Sequence, residues 1–186
     1  VERSRGLGDV YKRQEGTYLR IFAGTKERSR ENLERFIDTC KLVCREAEDR
    51  GVLIGIETHG ELAYSGDACN LILEEVGSDA LGIVYDVANV FMQGLNPLEE
   101  LSKISLERIV SVQFHDFRRV NGEWRPVLLG LGEIPHYPVV KYLNDKGYDG
   151  LIVDEYEKWW HRELPDPMEA LPRELAYLKD RFRVKE

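Results

Sequence analysis

Five short runs rich in valine, isoleucine and leucine, separated by longer stretches of helical period, predict an α/β protein made of repeated βα units around a parallel sheet. The runs fall within about 170 residues, so each unit takes about 34, close to the spacing of eight units in a barrel of ~250 residues. The expectation is therefore a partial (β/α)8 TIM barrel, its last five βα units (strands 4 to 8), with the first three missing. No Gly-x-Gly-x-x-Gly follows any run, which argues against a dinucleotide-binding doubly wound sheet.

The expected strands are 19–23 (LRIFA), 53–58 (LIGIET), 81–87 (LGIVYDV), 109–116 (IVSVQFHD) and 151–157 (LIVDEYE). Their opening residues are apolar on both parities, as suits strands covered on both faces, and polar residues gather at their C-terminal ends. Ser29 is placed to cap a helix that ends before Gly51, and Asp67 one that runs through Val76. Asn96-Pro97 opens another in the favoured cap-then-proline order. Pro135 to Lys146 forms a further helix, closed by Gly147. Asp166-Pro167 starts a final amphipathic segment with Leu171, Leu175, Leu178 and Phe182 on one stripe.

Composition narrows the function. The 186 residues are 42% hydrophobic and 32% charged, with a net charge of −8, as expected of one globular domain. No cluster of lysine and arginine dominates, so nucleic acid is a poor partner and a small polar molecule such as a sugar a better one. No apolar stretch approaches the ~20 residues of a membrane span, and no secretion signal is evident, so no membrane partner and a cytoplasmic location are expected. Cys40, Cys44 and Cys69 form neither a disulfide framework nor a zinc-ribbon spacing. Cys40 and Cys44 share a helical stripe with Leu33, Phe36, Ile37, Val43 and Ala47, and are read as reduced core filler. Residues 1–14 show neither helical nor strand period, and the run SRGLGDVYKRQ (4–14) resembles the in-frame translation of a sequencing-library adapter. They are expected to be a non-native tail, leaving 15–186 as the C-terminal part of a single barrel domain.

The chemistry gathers at the strand ends, the face on which barrel enzymes build their sites. Glu57 ends IGIE, Asp86 ends GIVYD, Gln113 and His115 lie in VQFHD, and Glu155 lies in IVDE. Carboxylates converging on one rim repel one another unless a cation neutralises them, which points to a hard divalent metal, Mn2+ or Mg2+ first and Co2+ or Zn2+ next. Alternation puts Gln113 and His115 on one face and Asp116 on the other. By the same rule Glu155 shares its face with Glu157 but not with Asp154 or Tyr156. Asp116 is therefore expected to brace the ring.

GIETHG (55–60), GIVYDVAN (82–89), RIVSVQFHD (108–116), LLGLGEIP (128–135) and KGYDGLIVDEYEKWWHRELPDP (146–167) resemble the sugar phosphate isomerase/epimerase family of xylose isomerase-like TIM barrels. The resemblance runs from Tyr18 to the C-terminus, and its last motif is the most specific. It implies a metal held by Glu57, Asp86, Gln113 and Glu155. At the third position the family reads His-x-Lys-Asp where this chain reads Gln113-Phe114-His115-Asp116. An amide then replaces an imidazole, or His115, two residues on, reaches in instead; the motif alignment favours Gln113. The family implies isomerisation or epimerisation of a sugar or sugar phosphate, by proton abstraction beside a carbonyl through an enediolate. Glu57 and Glu155 would also serve as acid and base. His59, Asn89, His115 and Arg119 are the expected substrate-binding residues, with Asn89 standing where the epimerases often carry a histidine. A keto-polyol dehydratase of the same fold and a non-catalytic sugar-binding barrel are the alternatives, and a homo-oligomer is compatible with either.

Overall fold

A computed structural model describes residues 18–24 and 27–182. Five strands form one parallel sheet: β1 (Tyr18–Ile21), β2 (Leu53–Glu57), β3 (Leu81–Asp86), β4 (Ile109–Phe114) and β7 (Leu151–Asp154), in the order β1-β2-β3-β4-β7. This α/β arrangement fits a TIM barrel. Tyr18 pairs with Leu53, Ile54 with Leu81, and Ser111 with Leu151. Between the strands lie α1 (Arg30–Arg50), α2 (Gly66–Val76), α3 (Val87–Met92), α4 (Pro97–Lys103) and α5 (His136–Asp145), and α6 (Pro167–Arg181) closes the order. By density of contact the described residues fall into two compact units, one up to Val84 with Lys103–Val110, the other Tyr85–Ser102 with Ser111 onward.

In the first unit, α1 packs on β2 and α2. Ser29 accepts a hydrogen bond from Asn32 N at 3.1 Å, so the helix starts at the predicted cap, and Gly51, in the left-handed conformation, ends it. Ile37, Cys40, Cys44 and Ala47 are buried, while Leu33, Phe36 and Val43 flank them half-buried. All three cysteines are buried thiols, and burial, with a smaller push from Cys44, drives the Cys40 thiol up to about 12. Such a thiol carries almost no thiolate and is inert, as the core-filler reading requires. Arg108 fastens the approach to β4, donating to Ser78 O at 2.7 Å and Leu81 O at 2.8 Å and pairing with Asp79 at 3.1 Å.

In the second unit β4 pairs with β7, and the buried side chains of Val112, Phe114, Val139, Val140, Leu143 and Leu178 supply its core. The Phe114 ring meets His136 and Phe182 edge-on, each at 5.5 Å.

Four local expectations are corrected. The strands are shorter at their polar ends, since residues 115–116 and 155–157 leave the ladder and Val87 begins α3. The cap of α2 is Ser65, which accepts from Ala68 N at 3.2 Å, and Asp67 is instead a first-turn acid of that helix. The stripe of α6 is shifted by one residue: Ala170, Glu174 and Leu178 are buried, whereas Leu171 and Leu175 are exposed. Finally, β5 (Asp116–Val120) and β6 (Glu123–Val127) form an antiparallel hairpin that the strand count did not include. Its turn is Asn121-Gly122, both at positive φ (53° and 86°), the geometry that a right-twisted two-residue hairpin demands. Among the described residues no helix is long and apolar enough to cross a membrane. The tail expected over 1–14 lies outside the described residues.

Candidate metal centre

The C-terminal ends of β3, β4 and β7 bring Asp86, His115 and Glu155 together. One ligand atom from each lies within 4.8 Å of the others, with Asp86 and His115 buried and Glu155 half-buried. Register explains the meeting: Phe114 pairs with Asp154 across β4 and β7, so the next residues, His115 and Glu155, emerge side by side, and Glu155 N donates to Phe114 O at 3.0 Å. Asp86 is held from the other side, where its Oδ1 accepts from Asn89 N at 2.7 Å and caps α3. The Nε2 of His115 stands 3.0 Å from both Asp86 oxygens. Burial alone would push the imidazole pKa down, but Asp86, Glu157 and Glu155 outweigh it and hold His115 well above its usual value.

Gln113 lies two residues before His115 on the same side of β4. It is buried, and among the described residues its Oε1 has no donor. A buried carbonyl oxygen without a donor is costly, and a cation or a ligand hydroxyl would satisfy it. Asp116 does something else. Its two oxygens accept from Phe117 N, Gly130 N, Gly132 N and Ile134 N at 2.8–3.2 Å. Four backbone donors occupy its lone pairs and fold the 128–134 loop.

The other expected site residues are distributed as follows. Glu57, at the end of β2, belongs to the first unit, is buried and lies 2.8 Å from the Arg20 guanidinium. His59, also in that unit, packs edge-on to Phe22 at 5.4 Å. In the second unit Asn89 is half-buried on α3. Arg119 is exposed on β5, where its backbone N–H donates to Glu133 at 2.7 Å and its guanidinium lies over the Trp124 ring at 4.7 Å.

Two residues near the centre escaped the sequence reading. Glu157 places an oxygen 3.5 Å from His115 Nδ1, and His161 lies 3.8 Å from the same carboxylate oxygen. The signal for Glu157 was its shared parity with Glu155, and for His161 its spacing of four from Glu157. Glu174 is 3% exposed on α6 and accepts from Leu129 N at 2.9 Å.

The parallel α/β arrangement that carries these residues agrees with what comparison with known proteins returns. The family model for the xylose isomerase-like TIM barrel matches residues 9–181. The chain belongs to this family. An inosose dehydratase of Clostridium beijerinckii is 28% identical over 158 residues, which cover 76% of this chain and 50% of that protein. This xylose isomerase-like chain spans about half the length of the curated relatives it matches. Among solved structures, a probable 3-DHS dehydratase from Bacillus anthracis superposes with a TM-score of 0.80 at 17% identity, covering 96% of this chain and 69% of that one. A D-allulose 3-epimerase from Methylomonas sp. does so with a TM-score of 0.79 at 17% identity, covering 94% and 66%. At such identities the structural matches speak for the fold alone.

Proposed function

We propose that the chain is the C-terminal portion, strands 4 to 8, of a divalent-metal-dependent isomerase or epimerase of a sugar or sugar phosphate. The enzyme would remove a proton from the carbon beside a carbonyl and pass through an enediolate. The observation that carries this reading is the meeting of Asp86, His115 and Glu155 at three neighbouring strand ends.

The donor set suits a hard or borderline cation: two carboxylates, an imidazole and, beside them on β4, the undonated oxygen of Gln113. In this reading Asp86, His115 and Glu155 hold Mn2+ or Mg2+, with Gln113 Oε1 available as a further oxygen donor and Glu57 as the fourth strand-end carboxylate. The family pattern favours Gln113 as the third ligand. Imidazole is the stronger donor to first-row divalent ions, and it is His115 that stands between the two carboxylates. When bound, the ion neutralises negative charge that develops on the substrate oxygens.

The chain's own residues do the rest. Glu155 and Glu57 are the acid–base pair that takes the proton from one carbon and returns it, and Arg20 fixes the Glu57 carboxylate at 2.8 Å. Asp86, held by the first turn of α3, keeps the His115 ring in place. His59, Asn89 and Arg119 are the proposed contacts to substrate hydroxyls. The substrate is a small soluble sugar, met in the cytoplasm, with no nucleic acid or membrane involved.

Mn2+ titration of the complete gene product tests the reading, together with product analysis over a panel of ketoses. One bound ion, lost on His115→Ala, and a metal-dependent change of sugar configuration are expected. Absence of both would leave a non-catalytic barrel. A second reading, dehydration of a keto-polyol, draws on the 28% identity to an inosose dehydratase, and a product lighter by one water would select it.

A further inference from the structure

His115 has two ring nitrogens, and each faces a carboxylate. Nε2 lies 3.0 Å from Asp86, inside the candidate metal centre, and Nδ1 points away from that centre to Glu157 Oε2 at 3.5 Å. The ring is otherwise gripped by apolar neighbours: Phe117 meets it edge-on at 4.9 Å and an interplanar angle of 80°. Among the described residues Nδ1 has no hydrogen bond of good geometry, and the carboxylate oxygen that faces it is Glu157 Oε2.

Glu157 is itself fixed. Its carbonyl accepts from Trp160 N at 3.0 Å and His161 N at 2.9 Å, closing a turn just after β7. Lys158 locks that turn by donating to Arg162 O at 2.7 Å and to Leu164 O. The side chain of Glu157 is half-buried. His161 flanks the same oxygen at 3.8 Å.

We propose that Glu157 is a positioning residue that takes the Nδ1 proton of His115 as a hydrogen bond and so presents the Nε2 lone pair to a divalent cation between Asp86 and Glu155. The proposal rests on the metal-site reading above and deepens it. The physical basis is general: an imidazole can offer only one nitrogen as a ligand while the other holds its proton, and a carboxylate behind the ring selects the tautomer, sets its orientation and strengthens its basicity. The sequence device is parity. Glu155 and Glu157 leave β7 on the same side, so one motif, Glu155-Tyr156-Glu157, supplies a ligand and the support for the neighbouring strand's ligand.

The test uses Glu157→Ala, Glu157→Gln and a control, Glu163→Ala, in the complete gene product. Glu163 is a suitable control because it pairs with the far side of His161 at 3.8 Å. Two measurements are made. The imidazole N–H proton resonance of His115 in the Mg2+-loaded protein, where the ion would take Nε2, reports whether Nδ1–H is hydrogen-bonded. Mn2+ titration reports affinity. Expected are a sharp downfield Nδ1–H signal in the parent and in Glu163→Ala, its loss to solvent exchange in Glu157→Ala, and a fall in Mn2+ affinity of roughly 10–100-fold for that variant. Glu157→Gln, whose amide oxygen still accepts the proton, should keep the signal and recover part of the affinity. An unchanged signal and affinity in Glu157→Ala would overturn the proposal. Failure of the parent to bind either ion would instead sink the metal reading, and the positioning role with it.

Discussion

Replacing Glu174 with glutamine should raise stability at neutral and alkaline pH and flatten its pH dependence. Glu174 is buried on α6. One oxygen accepts from Leu129 N at 2.9 Å, and the carboxyl also meets Asp154 of β7 in a side-chain hydrogen bond that needs a proton. Burial, reinforced by Asp154, lifts Glu174 from an ordinary 4.5 to about 7, and burial raises Asp154 as well. The sign follows from linkage. Between about 4.5 and 7 the folded chain holds a proton that the unfolded chain has released, so stability is complete below the lower value and declines as pH rises through the upper one. The span of 7 − 4.5 units, at about 1.4 kcal/mol each, sets the loss at roughly 3 kcal/mol. Glutamine keeps the acceptor for Leu129 and supplies the N–H for Asp154 with no proton to lose. Urea unfolding of the complete gene product at pH 5, 6, 7 and 8 would measure it. The parent should weaken by about that amount relative to the variant across the series. Parallel curves for the two, or a variant that is the weaker at pH 8, would refute the shared-proton argument.

Other expectations can be checked directly. Gly132→Ala should cost about 2–4 kcal/mol, because its Cβ would fall 2.1 Å from Asp116 Oδ1 and 2.5 Å from Phe117 O and break the carboxylate's grip on the loop; the urea midpoint reads it. Glu155→Gln should abolish turnover by removing a ligand charge and a base, whereas Gln113→His should retain or tighten Mn2+ binding by titration. If Gln113→His leaves affinity untouched while His115→Ala destroys it, His115 is the sole third ligand. The 186-residue chain taken alone is expected to melt without a sharp transition, since β1 and β7 are the outer strands of the sheet and Leu19 and Leu151 on them are exposed; a cooperative, high-temperature calorimetric transition of the monomer would contradict this. Deleting residues 1–14 should change neither solubility nor activity, and resequencing the native locus shows whether those codons belong to it.

The strands and the rim residues were legible because burial on both faces writes a plain apolar run, and a carboxylate breaking such a run at its end is conspicuous. Asp86 and Glu155 stood out in that way. The choice between Gln113 and His115 was not legible: alternation fixes only the side of the strand, and the two share it. The hairpin was written in Val120-Asn121-Gly122-Glu123 but lay hidden behind the expectation that a helix follows each barrel strand. Glu174 was missed for a different reason. A stripe chosen by hydrophobicity alone selects Leu171 and Leu175, whereas the buried face of α6 carries an acid whose partners, Leu129 and Asp154, lie 45 and 20 residues away in sequence.

The cage around Asp116 bears on the choice between a sugar and a sugar phosphate in the proposed reaction. Loops whose successive amides point inward at one spot are the usual cradle for a phosphate in barrels of this architecture. Here Gly130, Gly132 and Ile134 aim their N–H groups at one spot, and the protein's own carboxylate already sits in it. The loop is thus a nest that carries its anion with it. A phosphorylated substrate would have to draw its cationic or amide partners from elsewhere, while an uncharged sugar would need nothing from this loop but its shape.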